Sequence, residues 1–234
     1  MMADTHSPML AETISRRATR SRLILLLAAI TVTGCAGSQT IPTARQACCR
    51  GENASPNRAA IVRTATQLIG ASTLEINGRP TAYDCAGVTR AIFLKHGIDL
   101  YDSSARDPNA NGVRLIDAHV RQYGTLHRGP VVYPGDLVFF DNTWDYNGDG
   151  RVNDPLTHVG IVEWQEPDGT ILFISRVAGA GERYRMNLAL PHVHKTADGK
   201  ILNDYLRRKD GHDPADTGYL TGELFAQFAT RIGR

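Results

Sequence analysis

The apolar residues of this chain change their period once, and that change limits the fold. Up to residue 123 they recur at helical spacing: Ile61, Ala65, Leu68 and Ile69, then Val88, Ala91 and Ile92, then Val113, Ile116 and Val120. From residue 136 short runs bounded by Gly, Pro or Asp take over, and strands are predicted over 136–140, 159–164, 171–175 and 184–190. A last helix is predicted over 219–229. Helices first and strands afterwards predict an α+β domain, with N-terminal helices packed on an antiparallel sheet. The punctuation agrees. Ser55-Pro56 reads as an N-cap followed by a first-turn proline. Gly70 closes the first helix, and Gly97 closes a second that runs from Cys85 to His96. No internal repeat or low-complexity segment interrupts the pattern.

The N-terminus reads differently. Arg16, Arg17, Arg20 and Arg22 precede an apolar run from Leu23 to Val32, shorter than the roughly 20 residues a spanning helix needs. Its proportions are those of a signal-peptide core. It ends in Val32-Thr33-Gly34-Cys35, which resembles a bacterial lipoprotein cleavage box. The resemblance implies cleavage before Cys35, lipidation of its thiol and a periplasmic protein held on a membrane. By the sorting rule of Gram-negative lipoproteins, Ala36 after the lipidated position points to the outer membrane. The expected organisation is a signal peptide over 1–34, a lipidated tether over 35–55 and a folded domain over 56–234. Residues 1–34 hold four of the 26 Lys and Arg and two of the 24 Asp and Glu, leaving 22 of each. The remainder is neutral and carries no electrostatic footprint for nucleic acid.

With Cys35 assigned to lipid, three cysteines remain. The adjacent pair Cys48-Cys49 lies in the tether and is read as dispensable, since neighbouring cysteines rarely meet disulfide geometry. Cys85 sits in Tyr83-Asp84-Cys85-Ala86-Gly87-Val88, where a loop turns into a helix. Asp84 suits the N-cap, which places Cys85 in the first turn among unpaired N–H groups. Those groups and the helix dipole favour a thiolate over the usual thiol, and can also stabilise an oxyanion. The alternative is a buried structural cysteine. A second segment, Thr157-His158-Val159-Gly160-Ile161-Val162, sets an imidazole at the mouth of a short apolar strand. Cysteine and histidine together are the nucleophile and base of a thiol hydrolase.

Three motifs in order, Asp84-Cys85-Ala86-Gly87, Gly135-Asp136-Leu137-Val138-Phe139-Phe140 and His158-Val159-Gly160-Ile161-Val162, resemble the NlpC-type family of cell-wall cysteine peptidases, a papain-like group. The resemblance covers roughly residues 58–190. It implies a papain-like fold, cleavage of peptidoglycan stem peptides, Cys85 as nucleophile and His158 as base and acid, with no cofactor for catalysis. The third family position, which orients the histidine, falls on Ser175 in Phe173-Ile174-Ser175, where relatives carry His, Asn, Gln or Asp. Ala86 stands where the family usually has Ser, and Ser72–Gly78 departs from its upstream tyrosine motif. Two other readings compete. One is a catalytically silent, calcium-stabilised domain that binds cell-wall peptides; the other is an amidase of the related CHAP type or an acyltransferase.

Between the second and third motifs, Asp145 to Asp154 resembles an EF-hand calcium loop. Asp145, Asn147 and Asp149 take positions 1, 3 and 5, Gly150 is the turn glycine, and Arg151 would offer its carbonyl. Asn153 and Asp154 complete the candidate set for a structural calcium, because position 12 is Leu156 and carries no carboxylate. Asp141 is a further donor from outside the loop. His192 and His194 are read as solvated residues on one strand face, and His96 as a last-turn residue favourable to the helix dipole. Trp144 and Trp164 flank the expected site.

Overall fold

The computed structural model describes residues 56–233 apart from 74, 77–78, 81–82, 105–106, 108 and 178. Ser55, Cys35, Cys48, Cys49 and the expected signal peptide and tether lie outside the described residues. The elements in order are α1 (Pro56–Gln67), the short strands β1 (Glu75–Ile76) and β2 (Arg79–Pro80), α2 (Cys85–Leu94), α3 (Gly112–Tyr123), β3 (Thr125–His127), β4 (Leu137–Phe140), β5 (His158–Gln165), β6 (Ile171–Val177), β7 (Ala180–Met186), α4 (Thr221–Leu224) and β8 (Phe225–Thr230). β1 and β2 form a two-stranded ribbon. The remaining strands make one antiparallel sheet in the order β3-β8-β4-β5-β6-β7. This is the mixed helix and antiparallel-sheet architecture that the change of period predicts.

The period-two alternation of the central strands divides the core. Leu137, Phe139, Val159, Ile161 and Ile174 pack against Ile61, Val88, Ile92 and Ile116 of the helices. On the opposite face Val138, Phe140, Val162 and Phe173 meet Leu206 and Leu224 from the C-terminal segment. The sheet is therefore covered on both faces, by helices on one and by the chain after β7 on the other.

Two predictions are corrected. Residues 219–229 form one short turn of helix and then β8, not a single helix. Leu224, Phe225, Phe228 and Ala229 have helical spacing, but Phe228 and Ala229 bury on opposite faces of the sheet, and the slot between β3 and β4 supplies the backbone partners. The strand predicted over 184–190 runs instead from Ala180 to Met186. Asn187 ends it, because its Oδ1 accepts from the N–H groups of Ala189 and Leu190 and turns the chain away.

One buried ion pair ties the first helix to the sheet. Arg58 and Asp136 are 1% and 0% exposed, and Arg58 Nη1 donates to Asp136 Oδ1 at 2.9 Å. The guanidinium also donates to the carbonyls of Pro134 and Ile232. Asp136 Oδ1 accepts from Thr230 Oγ1, and Oδ2 from Tyr133 N. Every oxygen of the carboxylate is occupied, so the pair tolerates its burial. Arg58→Met leaves that carboxylate buried without its cation, and urea unfolding is expected to show a loss of about 3–5 kcal/mol.

Candidate active site

The sequence Asp84-Cys85-Ala86-Gly87 starts α2 as its capping chemistry requires. Asp84 adopts an extended backbone and its Oδ1 accepts from Gly87 N at 2.6 Å. Its carbonyl accepts from Val88 N. The backbone N–H groups of Cys85 and Ala86 face the sulfur instead, together with that of Val159 from β5. Ala86 is 2% exposed. A Cβ built on Gly112 would lie 2.7 Å from Ala86 Cβ and would strike the Tyr101 hydroxyl. Two small residues in contact thus let α3 close over the turn that carries the thiol. A serine hydroxyl at position 86 would be buried in that contact.

His158 opens β5 and is 7% exposed. Its Nε2 lies 2.8 Å from Ser175 Oγ on β6, and Ser175 Oγ donates to Val159 O at 2.7 Å. A hydroxyl has one proton. With that proton on Val159 O, the contact to the ring is one in which Nε2–H donates to Oγ. The neutral tautomer that results leaves Nδ1 unprotonated. Gly160 shapes the neighbourhood, since a Cβ there would meet Phe173 Cδ2 at 2.6 Å and push the aromatic ring away from the strand. Phe140 lies against the imidazole at a ring distance of 6.0 Å.

The structure brings Ser175 directly to His158, as the sequence register predicts. It packs Cys85 with Val159 on the helix side of the sheet, whereas the His158 ring lies against Phe140, which belongs to the other side. Among the described residues no hydrogen bond joins the Cys85 thiol to the His158 ring. The electrostatics differ from the expectation at a helix start. Burial pushes the thiol up to about 11, with the Asp84 carboxylate adding to the rise, and outweighs the N–H groups of Val159, Ala86 and Cys85. Burial also takes the His158 imidazole down to about 4. At neutral pH both groups are uncharged, so the resting pair is thiol and imidazole, not thiolate and imidazolium.

Three neighbours carry no sequence motif. Tyr101 lies beside the turn, and its phenol is raised by burial first and by the nearby Asp84 and Cys85 next. Arg90 stacks on the Tyr101 ring at 4.3 Å and pairs with Asp99, which holds the ring in place. Arg176, next to Ser175, stacks on the ring of Tyr83 at 4.9 Å, and its buried Nε has no hydrogen-bond partner. Adjacency to Cys85 and Ser175 was the only signal for Tyr83 and Arg176; for Tyr101 there was none.

The remaining candidates separate. Trp144 is 51% exposed and packs edge-on against Tyr146, while Trp164 is half-buried on β5. His192 is exposed beside Glu223, and His194 bonds Asn203 O; neither lies on a strand. His96 follows the end of α2 and bonds Thr64 Oγ1, and burial with Lys95 and Arg63 nearby lowers its affinity for a proton. His96 lies beyond the last helical turn in which it was expected, because the helix ends at Leu94. A cleft of about 630 Å³ lies over the loop, lined by Trp144, Asp145 and the segment from Arg207 to Pro214, and it includes none of Cys85, His158 and Ser175. No helix among the described residues is long and apolar enough to cross a membrane. No protein-family model matches the chain, and no curated protein matches it.

A thiol held near 11 alkylates slowly in neutral buffer, because only the thiolate reacts. Labelling of Cys85 by iodoacetamide, followed by intact mass, is expected to accelerate about tenfold per pH unit from pH 7 to 10. A rate that is already flat at pH 7 would contradict the assigned protonation.

Proposed function

We propose that the chain is a papain-like cysteine peptidase of the NlpC type that hydrolyses an amide bond in peptidoglycan stem peptides. The observation that carries the reading is the contact of Ser175 Oγ with His158 Nε2 and Val159 O, at the register where the family resemblance puts the residue that orients the histidine. In the reaction the Cys85 proton passes to His158 Nδ1 as Sγ attacks the scissile carbonyl carbon. The N–H groups of Cys85 and Ala86 receive the oxyanion. The His158 imidazolium then protonates the leaving amine, the C–N bond breaks, and an acyl-enzyme remains on Sγ. Water, deprotonated by Nδ1, attacks the thioester and restores the thiol. Because the resting pair is neutral, proton transfer accompanies attack instead of preceding it.

The N-terminal cleavage box supports export and lipidation at Cys35, with the domain tethered in the periplasm, on the outer membrane. One observation favours a second reading: the neutral thiol without a bond to His158 suits a silent domain that binds cell-wall peptides in the same place.

Purified peptidoglycan digested by the full chain in detergent, with products identified by mass spectrometry, separates the two. New muropeptides are expected from the parent chain and none from Cys85→Ala or His158→Ala. Retained binding of intact peptidoglycan without any product from the parent would establish the silent domain. Ser175→Ala frees the imidazole to rotate, and kcat/KM is expected to fall roughly 10- to 100-fold, part of what a positioned general base contributes.

A further inference from the structure

The connection between β4 and β5 is built around a second group of oxygen atoms that the proposed peptidase reaction does not use. Its neck is tightly specified. Asn142 N donates to Asp154 O and Asp154 N to Asn142 Oδ1, both at 2.7 Å. Asp141 Oδ1 accepts from Leu156 N at 2.7 Å. Asn142 and Leu156 both hold positive φ, 54° and 56°, a conformation that a branched apolar residue keeps only when its surroundings fix it. Asn111, the N-cap of α3, donates from Nδ2 to Leu156 O. Two residues after Leu156 the chain reaches His158.

Beyond the neck, Asp145 Oδ1 accepts from Gly148 N and Asp149 N, and Oδ2 accepts from Gly150 N. Asn147 Oδ1 accepts from Asp149 N and Asp149 Oδ1 from Arg151 N. Asn153 braces the turn between Asn147 and Asp149. These bonds shape a loop but say nothing of a ligand. The telling group is Asp154, which is 2% exposed. Its Oδ1 accepts from Asn147 N at 3.2 Å, so the carboxylate faces the loop, and its buried Oδ2 has no hydrogen-bond partner. A buried carboxylate oxygen without a donor or cation is costly to keep.

We propose that this loop binds one calcium ion. Its oxygen donors are the side chains of Asp145, Asn147 and Asp149, the Arg151 carbonyl and Asp154 Oδ2, and the ion fixes the entry of the His158 strand. Among the described residues no three His, Cys, Asp or Glu side chains stand together as a ready metal site, so Asp145, Asp149 and Asp154 must draw in around the ion, with Asn147 and the Arg151 carbonyl completing the set. An all-oxygen set on a pliable loop suits calcium better than magnesium, which demands a stricter octahedron. Asp154 replaces the missing acidic residue of position 12 and couples the ion to the neck through Asn142. The inference is independent of the peptidase reading, since a silent domain would use the same ion.

Trp144 precedes the first donor and lies 5.1 Å from Tyr146 between ring centroids, which allows terbium to be sensitised by aromatic excitation. The full chain in detergent, stripped with EDTA, is titrated with Tb³⁺ and then with Ca²⁺, and its melting temperature is read with each addition. The expected results are terbium emission displaced by calcium and a rise in Tm of roughly 5–10 °C at a hundredfold excess over Kd. Asp154→Asn is expected to weaken calcium roughly tenfold or more while melting no lower than the stripped parent. Asp149→Asn, at an exposed position that should not disturb folding, is expected to weaken calcium likewise. A folded parent with no calcium-dependent shift at millimolar concentration would overturn the proposal. So would an equal shift with Mg²⁺, or undiminished affinity in both variants.

Discussion

The single proton of Ser175 Oγ goes to Val159 O, and the arrangement of the candidate site follows from that choice. Once the hydroxyl is a donor to the backbone, the His158 ring must present Nε2–H to it, and the opposite nitrogen becomes the only basic position. The same carbonyl belongs to the residue whose N–H, with those of Ala86 and Cys85, favours the Cys85 thiolate. The Ser175 hydroxyl is thus tied to both residues of one peptide segment, 158–159, at the mouth of β5. The sheet keeps that segment in register by pairing Phe140 with His158 on one side and Ile161 with Ile174 on the other.

Burial then decides the chemistry of the resting state. A helix start alone would lower a thiol's pKa by charge and dipole. Here α3 closes over the turn through Gly112 and Ala86, and β5 covers the sulfur from the other side. Desolvation wins over three N–H groups for Cys85 and acts alone on His158, in opposite directions, because one group ionises to an anion and the other to a cation. A thiol kept protonated in this way resists oxidation, which follows thiolate character.

What was legible in the sequence was local. Asp84 as cap, Gly97 as helix stop and Ser175 as the partner of His158 depend on short-range geometry and strand register, which residue order encodes. What was illegible depended on packing across the chain. β8 carries apolar residues at a spacing that a helix would also satisfy, and only the open slot between β3 and β4 decides the matter. Asp136 looked like the first residue of a strand, yet it is the buried partner of Arg58, 78 residues earlier in the chain. The rise of Cys85 was equally hidden, because the atoms that desolvate it come from elements far away in sequence.

The central claim is the neutral His158 tautomer fixed by Ser175, and ring nitrogen NMR of protein with labelled histidine reads it directly. At neutral pH the account predicts a His158 ring with Nε2 protonated and Nδ1 bare, unchanged down to about pH 5. A ring protonated on both nitrogens at pH 7, or one carrying its proton on Nδ1, would contradict it.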